Sequence, residues 1–335
     1  MVKTTGEKAK EKIIKALHTQ EGWEEFETML SDIDVKCNLQ PLTIKKDQER
    51  LKTNTVLDYI LGDGGLTAGK TVELFGEYAS GKSQILFTLT VEAANKGIVV
   101  FIDTEDTFSQ PRISQIAKAR GYDVEKINNN IFHYTPDTWL QQLAIPTQLP
   151  EPLPAPLKLI VVDSLMCLFR STPEFAGRSR LGKRQELIRF HLRQLKLLVK
   201  KYGGIVAYSN QVYDKPVANA FLPDWASQVG AGGHSVWHIG DFRIFLRKGP
   251  KNVRIARLVD NAELPPAERV FQINDKGVDD LSDEQQSEAK KKLQKWEDAQ
   301  ISGEYVKKRK KNEDDLVEEA LQASQQEAKE SQIPS

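Results

Sequence analysis

Cysteine is almost missing from this sequence. Cys37 and Cys167 are the only two in 335 residues, too few for a disulfide framework and wrongly spaced for a metal site. Both read as reduced, inert thiols, Cys167 in an apolar strand context. Long apolar runs are missing too. No stretch approaches the roughly 18 residues that a membrane span needs, and the N-terminus carries no apolar leader. The expectation is a soluble, intracellular protein with no membrane contact. Net charge is also lacking: 47 Lys and Arg balance 47 Asp and Glu. Bulk charge therefore does not single out nucleic acid as a partner. What remains is an ordinary globular composition, 39% apolar and 28% charged. The length suits one large domain or two small ones with a substantial core.

Three zones follow from the patterning. Residues 1–50 are charged, with helix-like spacing of apolar residues at Lys8–Leu17 and Gly22–Leu30. Residues 51–280 alternate β-type runs with amphipathic stretches. Thr71–Phe75, Ile98–Ile102, Leu159–Val162, Gly204–Ser209, Phe242–Leu246 and Val253–Val259 read as strands. Lys82–Ala94, Ile113–Arg120 and Arg184–Lys200 read as helices. Such alternation predicts an α/β fold with a mainly parallel central sheet. The last two strands, split by Gly249–Pro250, read as an antiparallel hairpin at the sheet edge. Residues 281–335 hold 13 acidic and 10 basic side chains and few apolar ones. That composition predicts a solvated helix or disorder. The Pro-rich stretch Leu149–Leu157 reads as a surface spacer.

The chemistry sits in three strand ends. Gly76-Glu77-Tyr78-Ala79-Ser80-Gly81-Lys82-Ser83 fits G-x-x-x-x-G-K-[ST] between a strand and a helix. Its glycines let backbone N–H groups wrap a phosphate, and the helix N-terminus adds partial positive charge. Lys82 would face the β/γ-phosphates and Ser83 would offer a hydroxyl to magnesium. Leu159–Asp163 is an apolar run ending in a carboxylate, which a parallel sheet delivers beside the P-loop. Asp163 is thus the second candidate for the Mg2+ site. Ile98–Ile102 runs into Asp103-Thr104-Glu105. Glu105 is the candidate to orient a water for in-line attack on ATP. The alternative is that Asp103 or Glu105 merely caps the next helix.

The ordered set of FIDTEDTF, LIVVDSL, SNQV, GGHSVWH, FRIFLRKGP and RIARLVDNAELPPAERVF behind the P-loop resembles the archaeal RadA recombinases and their eukaryotic relatives. The resemblance spans about residues 51–280 and implies a RecA-type P-loop core that assembles head to tail on DNA. It implies a catalytic role for Glu105 and Lys82, and for Gln211 as a γ-phosphate sensor that relays to a DNA-binding loop. It extends the nucleotide site to Gln84 and to Arg112, which would stack on adenine. It assigns His238, Asp260 and Pro265 to a neighbouring subunit's nucleotide. A cytoplasmic, nucleoid-associated location goes with that reading.

Two loops would meet DNA. Arg170–Arg184 clusters Arg170, Arg178, Arg180, Lys183 and Arg184 around Gly177 and Gly182, which suits phosphate contacts without sequence preference. Val212–Gly233 holds Lys215, Phe221 and Trp225. Those aromatics would stack on bases or pack beneath the loop. Both loops read as irregular. The partners implied are single-stranded DNA, double-stranded DNA as well, and either further copies of the chain or a recombinase. Departures from the family pattern exist. Residues 1–50 lack a hairpin glycine motif, and Phe26-Glu27-Thr28-Met29 has the aromatic of a Phe-x-x-Ala hook without its alanine. Three roles therefore stand side by side: a filament-forming recombinase, an accessory recombination ATPase, and an ATP-gated regulatory scaffold that ignores DNA.

Overall fold

The computed structural model describes residues 49–62, 64–214, 228–230, 240–249, 253–261 and 263–301. The N-terminal helices expected before residue 31 and Cys37 lie outside them. The described residues belong to the unit that begins at Gln48.

A nine-stranded sheet organises this unit. Its strands, in chain order, are β1 (Thr71–Gly76), β2 (Ile98–Asp103), β3 (Ile131–Tyr134), β4 (Leu157–Asp163), β5 (Ile205–Asn210), β6 (Phe242–Lys248), β7 (Val253–Asp260), β8 (Ala267–Asn274) and β9 (Gly277–Asp280). They lie in the order β9-β8-β7-β6-β1-β5-β4-β2-β3. From β6 to β3 every neighbour is parallel. β7, β8 and β9 extend the sheet antiparallel. The fold is α/β with a mainly parallel sheet, as the alternation predicts. The β6–β7 hairpin is not at the edge, however, because β8 and β9 continue beyond it.

The helices are α1 (Val56–Ile60), α2 (Lys82–Ala94), α3 (Gln110–Ala119), α4 (Val124–Asn129), α5 (Trp139–Ala144), α6 (Cys167–Ser171), α7 (Leu181–Tyr202) and α8 (Asp283–Ile301). They cover both sheet faces, which is why β1 and β2 are buried along their whole length. On one face Ile85, Leu86 and Leu89 of α2 and Ile113 and Ile116 of α3 meet Leu74, Phe101 and Val161. On the other, Ile188, Leu192, Leu195 and Val199 recur at helical spacing along α7 and meet Ile160, Val162 and Val206.

Three regions depart from the sequence reading. The segment 170–184 is not an irregular loop. It is built of α6, the short turns Pro173–Phe175 and Arg178–Arg180, and the first turn of α7, which begins at Leu181 and not at Arg184. Buried Phe169 and Phe175 explain this order: Phe175 packs edge-on against Trp139 at 5.1 Å. The charged tail begins as a packed helix, with Ala289 and Leu293 of α8 buried against Ile255 and Val270. Gln286 of the same helix exchanges two hydrogen bonds with the Val270 backbone. The Pro-rich stretch packs Leu149, Leu153 and Ala155 onto the second core. Cys167 starts α6, half-buried, and burial raises its thiol pKa.

Candidate nucleotide site

The C-terminal ends of β1, β2, β4 and β5 meet at one cleft of about 660 Å3. The P-loop forms its floor. Gly76 has φ +157°, and a Cβ there would fall 2.0 Å from the Leu246 carbonyl oxygen, so only glycine fits. Gly81 has φ +105° and opens α2 with no side-chain cap, leaving that helix end to an anionic ligand. Tyr78 projects almost fully into solvent, whereas Ser80 is buried and its hydroxyl has no partner among the described residues.

Lys82 folds back over the loop and donates to the carbonyls of Gly76 (2.9 Å) and Glu77 (2.7 Å). Burial pulls its ammonium below the ordinary lysine pKa, against the opposing pull of Asp163, Glu105 and Glu77. Asp163 ends β4, and a cis peptide links it to Ser164. Burial raises its carboxyl pKa, partly offset by hydrogen bonds from Ser209 and Ser83. Its Oδ2 is buried and accepts no hydrogen bond among the described residues. A glycine-lined anion cradle, a lysine held by uncharged carbonyl acceptors, and a carboxylate oxygen with no partner among the described residues beside a serine hydroxyl form a donor set that fits a nucleotide phosphate and a divalent cation.

Glu105 stands at the cleft mouth, exposed. Its Oε1 accepts from Ser164 Oγ at 2.5 Å and from Gln211 Nε2 at 3.5 Å. Gln211 in turn accepts from Arg170 Nη1 at 2.6 Å. A continuous run of polar contacts thus joins the end of β4 to the arginine-rich segment. Neither Asp103 nor Glu105 caps the next helix, because Ser109 is its N-cap; the Asp103 carboxylate instead takes the N–H groups of Glu105, Thr107 and Phe108 in the turn before it.

Arg112 sits in the first turn of α3, behind the N-cap Ser109. It donates to Gln84 Oε1 (2.9 Å), Gln115 Oε1 (2.6 Å) and the Asn274 carbonyl (2.6 Å), which fixes the guanidinium plane beyond the P-loop. Arg254 also reaches the cleft, unforeseen in the sequence. It is the second residue of β7 and donates to the Ala79 carbonyl at 3.2 Å. The signal was the register: β6 places Leu246 beside Gly76, so the hairpin that follows opens over the P-loop.

The family model described as Rad51 matches residues 48–281, more than half of the chain. The chain belongs to the Rad51 family. Its members are RecA-like recombinase ATPases that bind ATP with Mg2+. In this Rad51-family chain not every candidate residue reaches the cleft. Asp260 pairs with Arg243, which pairs with Glu73 near the start of β1. Six residue steps along β7, roughly 20 Å at ~3.3 Å each, separate it from Arg254. Pro265 follows, exposed, at that same far end. Arg180 donates to the Glu174 carbonyl on the surface at 3.1 Å. Arg178 lies in the adjoining turn. Lys215, Phe221, Trp225 and His238 lie outside the described residues. Among the described residues no helix is long and apolar enough to cross a membrane.

Proposed function

We propose that this chain is a RadA-like, DNA-dependent ATPase of homologous recombination and repair that binds single-stranded DNA under ATP control. The observation that carries this reading is the run Ser164–Glu105–Gln211–Arg170. It connects a carboxylate at the phosphate cleft with the segment richest in arginine, the link a DNA-responsive ATPase needs.

In this reading Lys82 exchanges its loop carbonyls for the β- and γ-phosphates, and the P-loop amides hold the remaining charge. Ser83 and Asp163 would hold Mg2+, which would neutralise phosphate charge when bound. Glu105 accepts the proton of the attacking water. Arg112 flanks the adenine. His238, Asp260 and Pro265 act on the nucleotide of the next subunit. Arg170, Arg178, Arg180 and Lys215 contact phosphates of single-stranded DNA, and of double-stranded DNA by the same chemistry. The protein works in the cytoplasm at the nucleoid, with copies of itself or with a recombinase as partner.

The test is phosphate release with and without single-stranded DNA, on wild type and Gln211→Ala. DNA should stimulate the wild type and fail to stimulate the variant. A wild-type rate indifferent to DNA would leave the scaffold role as the better reading. Electron microscopy with ATP and DNA then separates a filament-forming recombinase from an accessory ATPase.

A further inference from the structure

We infer that Asp103 is a positioning residue for hydrolysis, holding the turn that carries Glu105 at the cleft. This rests on the reading of Glu105 as the water-activating carboxylate. The turn from Thr104 to Phe108 leaves β2 and enters α3, and Asp106 within it has φ +54°, a left-handed conformation uncommon outside glycine that aspartate tolerates better than most residues. Two anchors hold it. On the β4 side, Thr104 N–H donates to the Asp163 carbonyl (2.9 Å), Thr104 Oγ1 donates to the Ser164 carbonyl (2.7 Å), and Ser164 N–H donates to Thr104 Oγ1 (2.9 Å). These fix the residue just before Glu105.

The backbone from Glu105 to Phe108 is tied to Asp103. Its side chain is fully buried. Oδ1 accepts from the N–H of Glu105 and of Thr107, both at 3.2 Å, and Oδ2 accepts from Phe108 N–H at 2.8 Å. Three backbone donors within the five residues that follow thus converge on one carboxylate, so it sets the path of the turn and the direction in which Glu105 leaves the backbone. The outer side is closed by His133 on the edge strand β3. Its Nε2 lies 3.6 Å from Asp103 Oδ2, and its ring stacks on Phe108 at 4.2 Å. His133 therefore touches both the acceptor and the last residue of the turn it organises. Asp103 does not line the cleft; it acts through Glu105.

Asp103→Asn keeps one acceptor oxygen but turns an NH2 donor toward one of the backbone N–H groups. The turn should loosen while the P-loop stays intact. The expected result is a fall in kcat of about tenfold or more, with KM for ATP, and nucleotide affinity measured directly, within about twofold. Glu105→Gln serves as the reference, and the double variant should lose no more than Glu105→Gln alone, because both act on one step. Independent, multiplying losses, a parallel loss of nucleotide affinity, or wild-type kcat in Asp103→Asn would each overturn the inference. If Glu105→Gln itself turns over at the wild-type rate, the underlying reading of Glu105 fails instead. Should Asp103→Asn not fold, His133→Ala carries the test from a half-exposed position. A several-fold loss of kcat at unchanged KM supports the inference, and wild-type kcat overturns it.

Discussion

Removing the Lys82 ammonium deletes phosphate neutralisation and little packing, since its Nζ donates to loop carbonyls. Lys82→Ala should nearly abolish ATP hydrolysis, read as phosphate release, while the thermal melt stays close to wild type. Glu105→Gln should keep nucleotide binding and lower turnover by roughly two orders of magnitude, the scale of a lost general base. A different residue contributes to acid stability. His191 on α7 is buried, neither ring nitrogen has a partner among the described residues, and burial lowers its pKa from 6.5 to about 4. A base with a depressed folded pKa binds its proton more readily in the unfolded chain. Stability should therefore be full above pH 6.5, fall as the pH drops toward 4, and level off below. The gap between 6.5 and about 4 amounts to roughly 3 kcal/mol at ~1.4 kcal/mol per unit. Between pH 7 and pH 4, urea unfolding should show a loss of stability in wild type that exceeds the loss in His191→Leu by about that amount.

Between elements, Glu92 on α2 is a buried joint. Its carboxylate takes Arg120 Nη1 at 2.5 Å, Asn54 Nδ2 at 2.9 Å and the Tyr122 hydroxyl at 3.0 Å, with only 1% of its side chain exposed. Arg120 also donates to the carbonyls of Lys276 and Val278, so one ion pair ties α2, the end of α3 and β9 together. Glu92→Ala leaves a buried guanidinium unpaired and should cost about 3–5 kcal/mol in chemical denaturation. A loss under about 1 kcal/mol would mean that Arg120 finds water instead. This joint was not legible in the sequence, because Glu92 and Arg120 are 28 positions apart and carry no motif. The P-loop was legible because its chemistry lies in consecutive backbone groups. β2 and β4 were legible because burial on both faces demands unbroken β-branched runs. The edge strand β3 escaped notice: Ile131–Tyr134 is four residues with no fully buried one, so it lacks that run. The strands β8 and β9 were hidden by charged residues that pair across them, such as Arg269 with Asp280 at 2.8 Å. Segment 170–184 read as irregular because its charges outnumber Phe169 and Phe175, although those two rings decide its path.

For the whole molecule, zero net charge means that any affinity for DNA must come from local clusters. Replacing Arg178 and Arg180 with alanine should weaken single-stranded DNA binding for all sequences alike. The slope of log affinity against log salt should flatten by about 0.7 for each phosphate that is no longer neutralised. Fluorescence titrations of a labelled oligonucleotide at several salt concentrations measure both effects. Identical slopes in wild type and variant would remove this segment from the DNA site. Hydrolysis per subunit should also rise with protein concentration if Asp260 and Pro265 serve a neighbour. A constant rate from a proven monomer would contradict that role.

The register of β7 has a further consequence. It reaches the P-loop at its second residue, Arg254, and ends at the opposite rim with Asp260, so if Asp260 serves a neighbour's nucleotide as proposed, each subunit carries its two nucleotide-contacting surfaces on opposite poles. A row of such subunits has a direction, and its two ends differ chemically. One terminal subunit keeps a P-loop that no neighbour covers, and the other offers a rim that covers nothing. An open row of n subunits then completes only n − 1 sites, whereas a closed ring completes all n. Short rows should hydrolyse less per subunit than long ones, and the deficit should shrink as one over the length.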